Sequence, residues 1–155
     1  MPQRSAGVLL YRRRNGSVEV LLVHPGGPFW ARKDLGAWSI PKGECAVDED
    51  PLMAAQREFA EETGVRPRGK FRPLGDVKQE GGKHVIAWAV EGDLDPAALV
   101  SNLFELEWPP RSGRKRMFPE VDRAEWFAPD EARTKILAGQ RPFIDRLVEL
   151  IGERE

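Results

Sequence analysis

The sequence is poor in cysteine and has no long apolar run. Its 155 residues include one cysteine, Cys45, so no disulfide can form within the chain, which suits a reducing compartment. No apolar stretch approaches the roughly 20 residues of a membrane-spanning helix. The opening residues, MPQRSAGVLLYRRR, lack the long apolar region and the small-residue cleavage site of a signal peptide. We therefore expect a cytoplasmic protein without a membrane partner.

An excess of charge of either sign is also missing. Lys and Arg number 24 and Asp and Glu number 25, so no overall positive field exists to attract nucleic acid, which is not an expected partner. The chain is long enough to bury a sizeable core. No repeat, low-complexity tract or long linker divides it, so a single domain over residues 1–155 is predicted.

Turn signals predict two hairpins and one well-defined helix. Asn15-Gly16 and Gly81-Gly82 each stand between two strand-like runs, a pattern typical of β-hairpins. Asp50-Pro51 is typical of a helix start, and Gly64 is typical of the position just after a helix. A helix is therefore predicted over residues 51–63.

The remaining segments predict further strands and closing helices. Residues 37–43 read as a short strand, residues 101–120 as an apolar start followed by a basic loop, and residues 125–153 as a short strand followed by one or two helices. Three apolar residues of the last helix are expected to pack on the sheet: Val148, Leu150 and Ile151. Together these elements predict an α+β fold with a mixed sheet and flanking helices.

Three carboxylates crowd the second half of the predicted helix. With 3.6 residues per turn, Glu58, Glu61 and Glu62 fall within an arc of about 100° beside the apolar face. The negative end of the helix dipole disfavours each of them by about 0.3–1 kcal/mol, and only Arg57 stands close enough to offset the repulsion. One interpretation is a solvated acidic face. The other is a site for hard divalent cations, which prefer oxygen ligands.

The surrounding spacing favours the cation site. Gly43, Glu49 and seven residues of the run from Arg57 to Val65 occupy nine specified positions at fixed intervals, far more than a short motif supplies. The segment Gly43 to Val65 resembles the box of the Nudix hydrolase family at every fixed position. The first hairpin, the strand before the box and the closing helices also stand where a Nudix fold has such elements, so the resemblance implies an α/β/α sandwich.

The resemblance implies a loop–helix–loop site that binds Mg²⁺ or Mn²⁺ and hydrolyses a diphosphate linked to a nucleoside or a similar group. Glu61 and Glu62 would be metal ligands. Glu58 would be a ligand or the base that activates water, and Arg57 would orient it. Glu49 would brace the loop or contact metal-bound water.

Two further ligands are expected from outside the helix. The carbonyl of Lys42 or Gly43 would add one. Glu120, which stands five residues before Glu125-Trp126 as in nucleotide-cleaning members of the family, would add the other. The alternative for Glu120 is an ordinary loop residue.

The residues before the helix direct the substrate prediction to long phosphate chains. The segment WSIPKGE has Pro-Lys-Gly where many nucleotide-cleaning relatives have Gly-Gly, and it resembles dinucleoside polyphosphate and diphosphoinositol polyphosphate hydrolases. Lys42 beside the metal loop would grip an extra phosphate, and Trp38 is assigned with it to substrate binding.

A second cationic stretch and two tryptophans complete the predicted substrate site. The stretch RSGRKR is either a phosphate clamp or a solvated loop, and its basic residues are Arg111, Arg114, Lys115 and Arg116. Trp30 and Trp108 are both candidates to stack on a base.

The expected activity is Mg²⁺-dependent hydrolysis of a dinucleoside polyphosphate such as diadenosine tetraphosphate. Its partner is thus a small nucleotide substrate. Alternatives within the family are ADP-ribose, an oxidised nucleoside triphosphate and a capped RNA end. A different class is a nucleotide-sensing or RNA-binding Nudix module. Such modules often carry a degraded box, whereas this one is intact.

Overall fold

The computed structural model describes residues 4–79 and 81–152. Within these residues the chain forms eight strands, three α-helices and two short 3₁₀ helices. In chain order these are β1 (Arg4–Arg14), β2 (Ser17–Pro25), β3 (Lys42–Glu44), α1 (Pro51–Thr63), β4 (Arg72–Lys78), β5 (His84–Glu91), a 3₁₀ helix (Pro96–Ala98), β6 (Leu103–Glu107), β7 (Lys115–Pro119), β8 (Val121–Phe127), α2 (Pro129–Lys135), a 3₁₀ helix (Ala138–Gln140) and α3 (Arg141–Gly152).

The main sheet is mixed and has β1 near its centre. The strand order is β4-β5-β1-β2-β8, and β3 pairs with β1. Strand β1 runs parallel to β5 and antiparallel to both β2 and β3. Strands β3 and β2 therefore pair with the same edge of β1, β3 along its first half and β2 along its second half. The predicted mixed sheet is confirmed.

Both predicted hairpins are present. Asn15 and Gly16 have φ angles of 52° and 80°, so a two-residue turn with left-handed backbone joins β1 to β2. Gly81 and Gly82 also have positive φ angles, and they lie in the connection between the antiparallel strands β4 and β5.

Helices cover both faces of the sheet, as the sandwich prediction required. On one face, Phe59 of α1 belongs to an apolar cluster with Val8 of β1. On the other face, Phe143 of α3 packs in a cluster with Leu9 and Leu22. Of the residues expected to pack there, Ile151 is buried, Leu150 lies partly buried against the cluster and Val148 is half-buried. No helix among residues 4–79 and 81–152 has the length and apolar content to cross a membrane.

Two segment predictions are wrong. Residues 101–120 do not end in a loop, because β6 and β7 pair as a separate antiparallel hairpin in which the rings of Phe104 and Phe118 lie 6.1 Å apart. Residues 37–43 do not form a continuous strand. Ser39 makes an isolated bridge to Val23, and regular pairing starts only at Lys42, since the preceding Pro41 has no N–H to donate.

Candidate active site

Helix α1 begins and ends where its capping signals predicted. The Asp50 carboxylate accepts the N–H of Met53 at 3.2 Å, and Pro51 occupies the first turn. At the other end Gly64 has a φ of 82° and donates its N–H to the carbonyl of Ala60. The prediction of a helix over residues 51–63 is confirmed.

The apolar face of α1 sets the direction of its acids. Phe59 is fully buried against the sheet, which fixes the rotation of the helix. Glu58 and Glu62, one turn apart, are then buried at the edge of that face, with exposed fractions of 9% and 8%. Glu61 lies on the more exposed side, with 41% of its side chain accessible.

Gly43 allows β3 to lie directly against the Glu58 carboxylate. A Cβ placed on Gly43 would fall 2.0 Å from Cδ of Glu58, far inside any allowed contact. The backbone of β3 is held close to β1 in a similar way, because a Cβ on Gly7 would fall 2.7 Å from the carbonyl oxygen of Pro41. The absence of a side chain at Gly7 and at Gly43 therefore allows the segment entering β3, the strand β1 and the Glu58 carboxylate to lie in contact.

Arg57 binds three of the acids at once. Its Nε and Nη2 donate to the two carboxylate oxygens of Glu49, each at 3.1 Å. Its Nη1 donates to Glu58 at 2.8 Å and, more weakly, to Glu61 at 3.4 Å. Its Nη2 also reaches the backbone carbonyl of Glu44 at 3.3 Å. The guanidinium thus ties the loop before α1 to the helix and fixes the Glu58 carboxylate.

The two buried acids of α1 resist ionisation. Burial raises the pKa of Glu62 well above its usual range, against the attraction of the Lys42 ammonium; the charges of Glu120 and Glu58 raise the pKa further. Burial also raises the pKa of Glu58, although the hydrogen bond from Arg57 opposes this shift. Crowded, desolvated carboxylates of this kind accept protons or cations readily.

Glu120 reaches the site through backbone contacts at the base of the β6–β7 hairpin. Asn102 donates its N–H to the carbonyl of Glu61 at 2.8 Å, and its own carbonyl accepts the N–H of Glu120 at 2.9 Å. The carbonyl of Glu120 accepts the N–H of Gly26 at 2.9 Å. Burial and the charge of Glu61 raise the pKa of Glu120, and a hydrogen bond from the Asn102 side chain lowers it.

Asn102 did not stand out in the sequence. Nothing in its neighbours marks it, since its position depends on the end of α1 meeting the start of β6. Its Oδ1 atom is buried without a hydrogen-bond partner among the described residues. An unsatisfied acceptor beside Glu120 can accept a hydrogen bond from a ligand or bind a cation.

A second lysine joins Lys42 at the site. Lys42 is half-buried on β3. Its pKa is lowered by burial and by the nearby charge of Lys83, whereas Glu62 and Glu58 raise it. Sequence analysis did not identify Lys83. The parallel pairing of β5 with β1 sets Arg4 opposite His84, and this register places the start of β5 near the β3 end of β1.

The basic stretch lies farther away than the sequence suggested. Lys115 begins β7 and pairs with Glu105 across the hairpin at 3.5 Å. Arg111 and Arg114 are exposed in the connection between β6 and β7. With about 3.3 Å per strand residue, Arg114 stands roughly 20 Å along the hairpin from Glu120. Arg116, between them, lies 5.7 Å from the ring centre of Phe118.

The assignment of Trp38 to substrate binding is wrong. Its side chain is 1% exposed, and its ring packs edge-on against His24 and Phe127 at centroid distances of 5.1 Å. The indole N–H donates to Asp34 at 2.8 Å. Trp38 therefore belongs to the core, where it packs with His24 of β2 and Phe127 of β8.

The other aromatic candidates differ in position. Trp30 is partly buried against the core, and the Lys33 ammonium lies 4.9 Å from its ring centre. Trp108 is half-buried and makes an edge-to-face contact with the exposed Phe29 at 5.5 Å. Stacking of a base on Trp30 or Trp108 stays a prediction.

Cys45 has no features of a nucleophile. Its thiol is within 3.5 Å of the carbonyls of Ala46 and Glu49, and burial raises its pKa. A reactive cysteine needs the opposite shift. These contacts favour an incidental loop residue.

The donor set fits a hard divalent cation. Carboxylate oxygens and backbone carbonyls are the ligands that Mg²⁺ and Mn²⁺ prefer. A cation would offset the burial, and the smaller mutual repulsion, that raise the pKa values of Glu58, Glu62 and Glu120. Across residues 4–79 and 81–152, no three His, Cys, Asp or Glu side chains already surround a common point. Arg57 draws Glu58 and Glu61 towards its own guanidinium instead.

The Nudix domain family matches residues 1–147 of the chain. The chain therefore belongs to the Nudix family, and the resemblance seen in the Gly43–Val65 segment is confirmed.

Known proteins of several kinds are similar to this chain. An octanoyltransferase of Myxococcus xanthus is 31% identical over 126 residues, covering 81% of this chain and 30% of that one. The asymmetrical bis(5'-nucleosyl)-tetraphosphatase of Mus musculus is 31% identical over 103 residues, covering 59% of this chain and 66% of that one. The crystal structure of a C. elegans Ap4A hydrolase binary complex is similar with a TM-score of 0.64 at 20% identity, covering 97% of this chain and 98% of that one.

These similarities cover different shares of the proteins compared. The chain spans 30% and 66% of the lengths of the two curated relatives, so their activities describe those proteins. The solved structure shares the fold over nearly the whole chain. The predicted α+β Nudix fold is thus confirmed.

Proposed function

We propose that this chain is a divalent-metal-dependent hydrolase of a diphosphate linkage in a nucleotide, with a dinucleoside polyphosphate such as diadenosine tetraphosphate as the leading substrate. The observation that carries the proposal is the environment of the Glu58 carboxylate. The carboxylate rests on the backbone of Gly43, is held by Arg57 at 2.8 Å and has a raised pKa. A raised pKa makes this carboxylate a better proton acceptor than an ordinary surface glutamate.

The chemistry is the addition of water to phosphorus. The water oxygen bonds to one phosphorus atom, the bridging P–O bond breaks, and the departing phosphate keeps the bonding electron pair. The proton released by water needs an acceptor. Glu58 accepts this proton, and Arg57 keeps the accepting oxygen in one place. The alternative for Glu58 is a metal ligand, with the proton passing to solvent.

The acids of the site would hold Mg²⁺ or Mn²⁺. The proposed ligands are the carboxylates of Glu58, Glu61, Glu62 and Glu120 and the carbonyl of Gly43. When bound, the cation supplies charge neutralisation of the diphosphate and polarisation of the P–O bond. The raised pKa values of Glu62 and Glu120 support this assignment, because their repulsion has no sufficient counter-charge in the protein alone.

The lysine pair supports a substrate with several phosphates. Lys42 lies near Glu62, Glu58 and Glu120, and Lys83 is close enough to repel its ammonium group, so an anion placed over both lysines would reduce that repulsion. A phosphate beyond the cleaved diphosphate would be such an anion. The mouse tetraphosphatase, to which the chain is 31% identical, acts on such a chain by its name.

The basic hairpin has a different proposed role. Arg111, Arg114 and Lys115 are too far along the hairpin to share the phosphates held at the acids. We place their contacts with the distal part of a long substrate, at its second nucleoside or the phosphates next to it. Their exposure means that salt would screen these contacts strongly.

A substrate panel with product identification tests the proposal. Diadenosine tetraphosphate, diadenosine diphosphate, ADP-ribose, an oxidised nucleoside triphosphate and a capped RNA are compared with and without Mg²⁺. We expect hydrolysis only with metal and the highest kcat/KM for the tetraphosphate. Binding of a nucleotide or RNA without turnover of any compound would contradict the enzyme and favour the sensing or RNA-binding class.

A lysine variant tests the chain-length preference. Lys42→Ala should reduce the ratio of kcat/KM for the tetraphosphate over the diphosphate by about tenfold, the effect of one charge-assisted contact. Lys70→Ala is the matched control, because Lys70 is exposed and precedes β4 at the opposite end of β5 from Lys83. Equal losses for both substrates in Lys42→Ala would leave only a general diphosphate hydrolase.

A further inference from the structure

Gln140 is a fully buried polar residue at some distance along the chain from the acids. It ends the 3₁₀ helix between α2 and α3, and its exposed fraction is 0%. Its Oε1 accepts the backbone N–H of Ile40 at 3.0 Å. Its Nε2 donates to Oγ of Ser39 and to Oε1 of Gln79, each at 3.0 Å. The amide therefore has a partner for its acceptor oxygen and for both of its donor hydrogens.

The two sets of bonds lead to different segments of the candidate site. Ser39 and Ile40 belong to the irregular stretch that enters β3, and Lys42 follows two residues later. Gln79 follows β4, and its N–H donates to the carbonyl of Lys83 at 2.7 Å, closing the turn that carries Lys83. One buried amide thus links the segment of Lys42 to the turn of Lys83.

Neither segment is well fixed by regular pairing at this point. The stretch around Ser39 makes only isolated bridges, and the β4–β5 connection contains two glycines with positive φ. Gly139 brings the 3₁₀ helix very close to the turn, since a Cβ on it would fall 3.1 Å from Cα of Gln79. Backbone bonds hold each segment to the sheet or within its own turn, and Gln140 adds a direct link between the two segments.

We propose that Gln140 is a positioning residue that sets the separation of Lys42 and Lys83, and thereby the length of phosphate chain that the site accepts. The inference rests on the proposed function for the identity of the anion. The link between the two segments rests on the hydrogen bonds alone. The pKa of Lys42 agrees with the placement, since the charge of Lys83 lowers it.

The first test replaces the amide by an apolar side chain of similar length. Gln140→Met should raise KM for diadenosine tetraphosphate about tenfold, the loss expected when a site misplaces a charged contact. The value of kcat should stay within about threefold, because the acids of α1 are not linked to Gln140. Phe143→Leu is the control: it loosens the same buried region without touching the amide. An equal KM increase in the control would overturn the proposal.

A double-variant cycle separates positioning from general damage. If Gln140 acts through Lys42, adding Gln140→Met to Lys42→Ala should raise KM for the tetraphosphate by less than twofold, since the group to be positioned is already gone. Independent, multiplicative effects of the two changes would overturn the proposal while leaving the hydrolase intact.

Hydrogen exchange supplies a readout that needs no substrate. In Gln140→Met, the amides of Ile40 and Gln79 should exchange at least about tenfold faster than in the unaltered chain, and Phe143→Leu should not reproduce this pattern. Unchanged protection of both amides would overturn the proposal whatever the enzyme hydrolyses. Faster exchange with no chain-length preference in the unaltered chain would instead uphold the link and refute the polyphosphate substrate.

Discussion

Arg57 and Arg133 each bind more than one carboxylate, as Arg12 also does, but the surroundings of Arg57 and Arg133 differ. Arg133 of α2 donates to Asp130 at 2.6 Å and to Asp145 at 2.7 Å. Arg57 of α1 donates to Glu49, Glu58 and Glu61 at 2.8–3.4 Å. The pairing chemistry is the same in both networks, so any difference between them must come from burial and from the neighbouring charges.

The two acids of the Arg133 network are solvated, whereas the Arg57 network combines a buried acid, Glu58, with the part-exposed Glu61 and guanidinium. The side chains of Asp130 and Asp145 are 99% and 63% exposed, whereas that of Glu58 is 12% exposed. Water screens the first network, and its ion pairs contribute little. In the second, burial raises the pKa of Glu58 and Glu62 despite Arg57 and Lys42. A carboxylate cluster is therefore disposed to take up protons or cations where the protein supplies too little positive charge and excludes water.

The largest effect should follow from removing an acid of the buried network. Glu62→Gln and Glu61→Gln should each lower metal-dependent turnover by orders of magnitude, about a thousandfold or ~4 kcal/mol of barrier, because a carboxylate ligand is lost. Steady-state kinetics with Mg²⁺ measure this, and circular dichroism checks the fold. Asp145→Asn is the matched control in the Arg133 network and should change kcat by less than twofold. Full activity of folded Glu62→Gln would refute the assignment.

A smaller effect should separate Glu120 from its neighbour Glu125. Glu120→Gln should reduce turnover about ten- to a hundredfold, since Glu120 lies close enough to raise the pKa of Glu58 and Glu62. Glu125 is an exposed residue of β8, so Glu125→Gln should be nearly silent. Parallel kinetics and Mn²⁺ titrations of the two variants check this. Identical behaviour would make Glu120 an ordinary loop residue.

The third effect concerns stability without metal. The folded pKa of Glu62 is raised, so the stability tied to its protonated form is complete below the unfolded pKa of about 4.3 and is lost as the pH rises through the folded value. The raised pKa values of Glu58 and Glu120 change the stability with pH in the same direction. The melting temperature in metal-free buffer should therefore fall by about 3 °C or more between pH 5 and pH 8.

Two comparisons isolate the contribution of Glu62 to this slope. Glu62→Gln should flatten the decrease and raise the melting temperature at pH 8, because an uncharged amide relieves the repulsion. Millimolar Mg²⁺ should raise the melting temperature of the unaltered chain at pH 8 more than that of Glu62→Gln. Calorimetry measures both. A melting temperature that rises with pH in the unaltered chain would contradict the raised pKa.

The smallest effect belongs to the exposed network. Asp130→Asn removes a contact between Arg133 and a nearly fully solvated carboxylate, so the melting temperature should change by less than about 1 °C at moderate salt. Thermal melts at low and high salt check this. A decrease of several degrees at moderate salt would show that the exposed network also contributes to stability and would contradict the distinction between the two networks.

Local signals explain what was predictable from the sequence. The limits of α1, both main hairpins and the family follow from short-range patterns: the Asp50 cap, the glycine at position 64, the Asn15-Gly16 turn and the spacing of the box. Each is decided by residues a few positions apart. The alternation that identifies β6 and β7 was also present, but the basic residues and the Pro109-Pro110 pair between the strands favoured a loop.

Long-range contacts explain what was missed. Lys83 is placed by the parallel register of β1 and β5, and Asn102 by the meeting of α1 with β6. Gln140 is placed by the approach of a 3₁₀ helix to two other segments. Trp38 was misassigned because its proximity to Lys42 in sequence does not reveal that its side chain points into the core. No local pattern encodes these placements.

The contact between Gly43 and Glu58 has a consequence for how such a chain evolves. Because a Cβ at position 43 would occupy the space of the Glu58 carboxylate, the two positions cannot drift independently. Alanine at 43 is compatible only with a shorter acid or a displaced one at 58, and aspartate at 58 leaves a gap that glycine does not fill. We therefore expect a substitution at one of the two positions to be tolerated better when the other position changes with it.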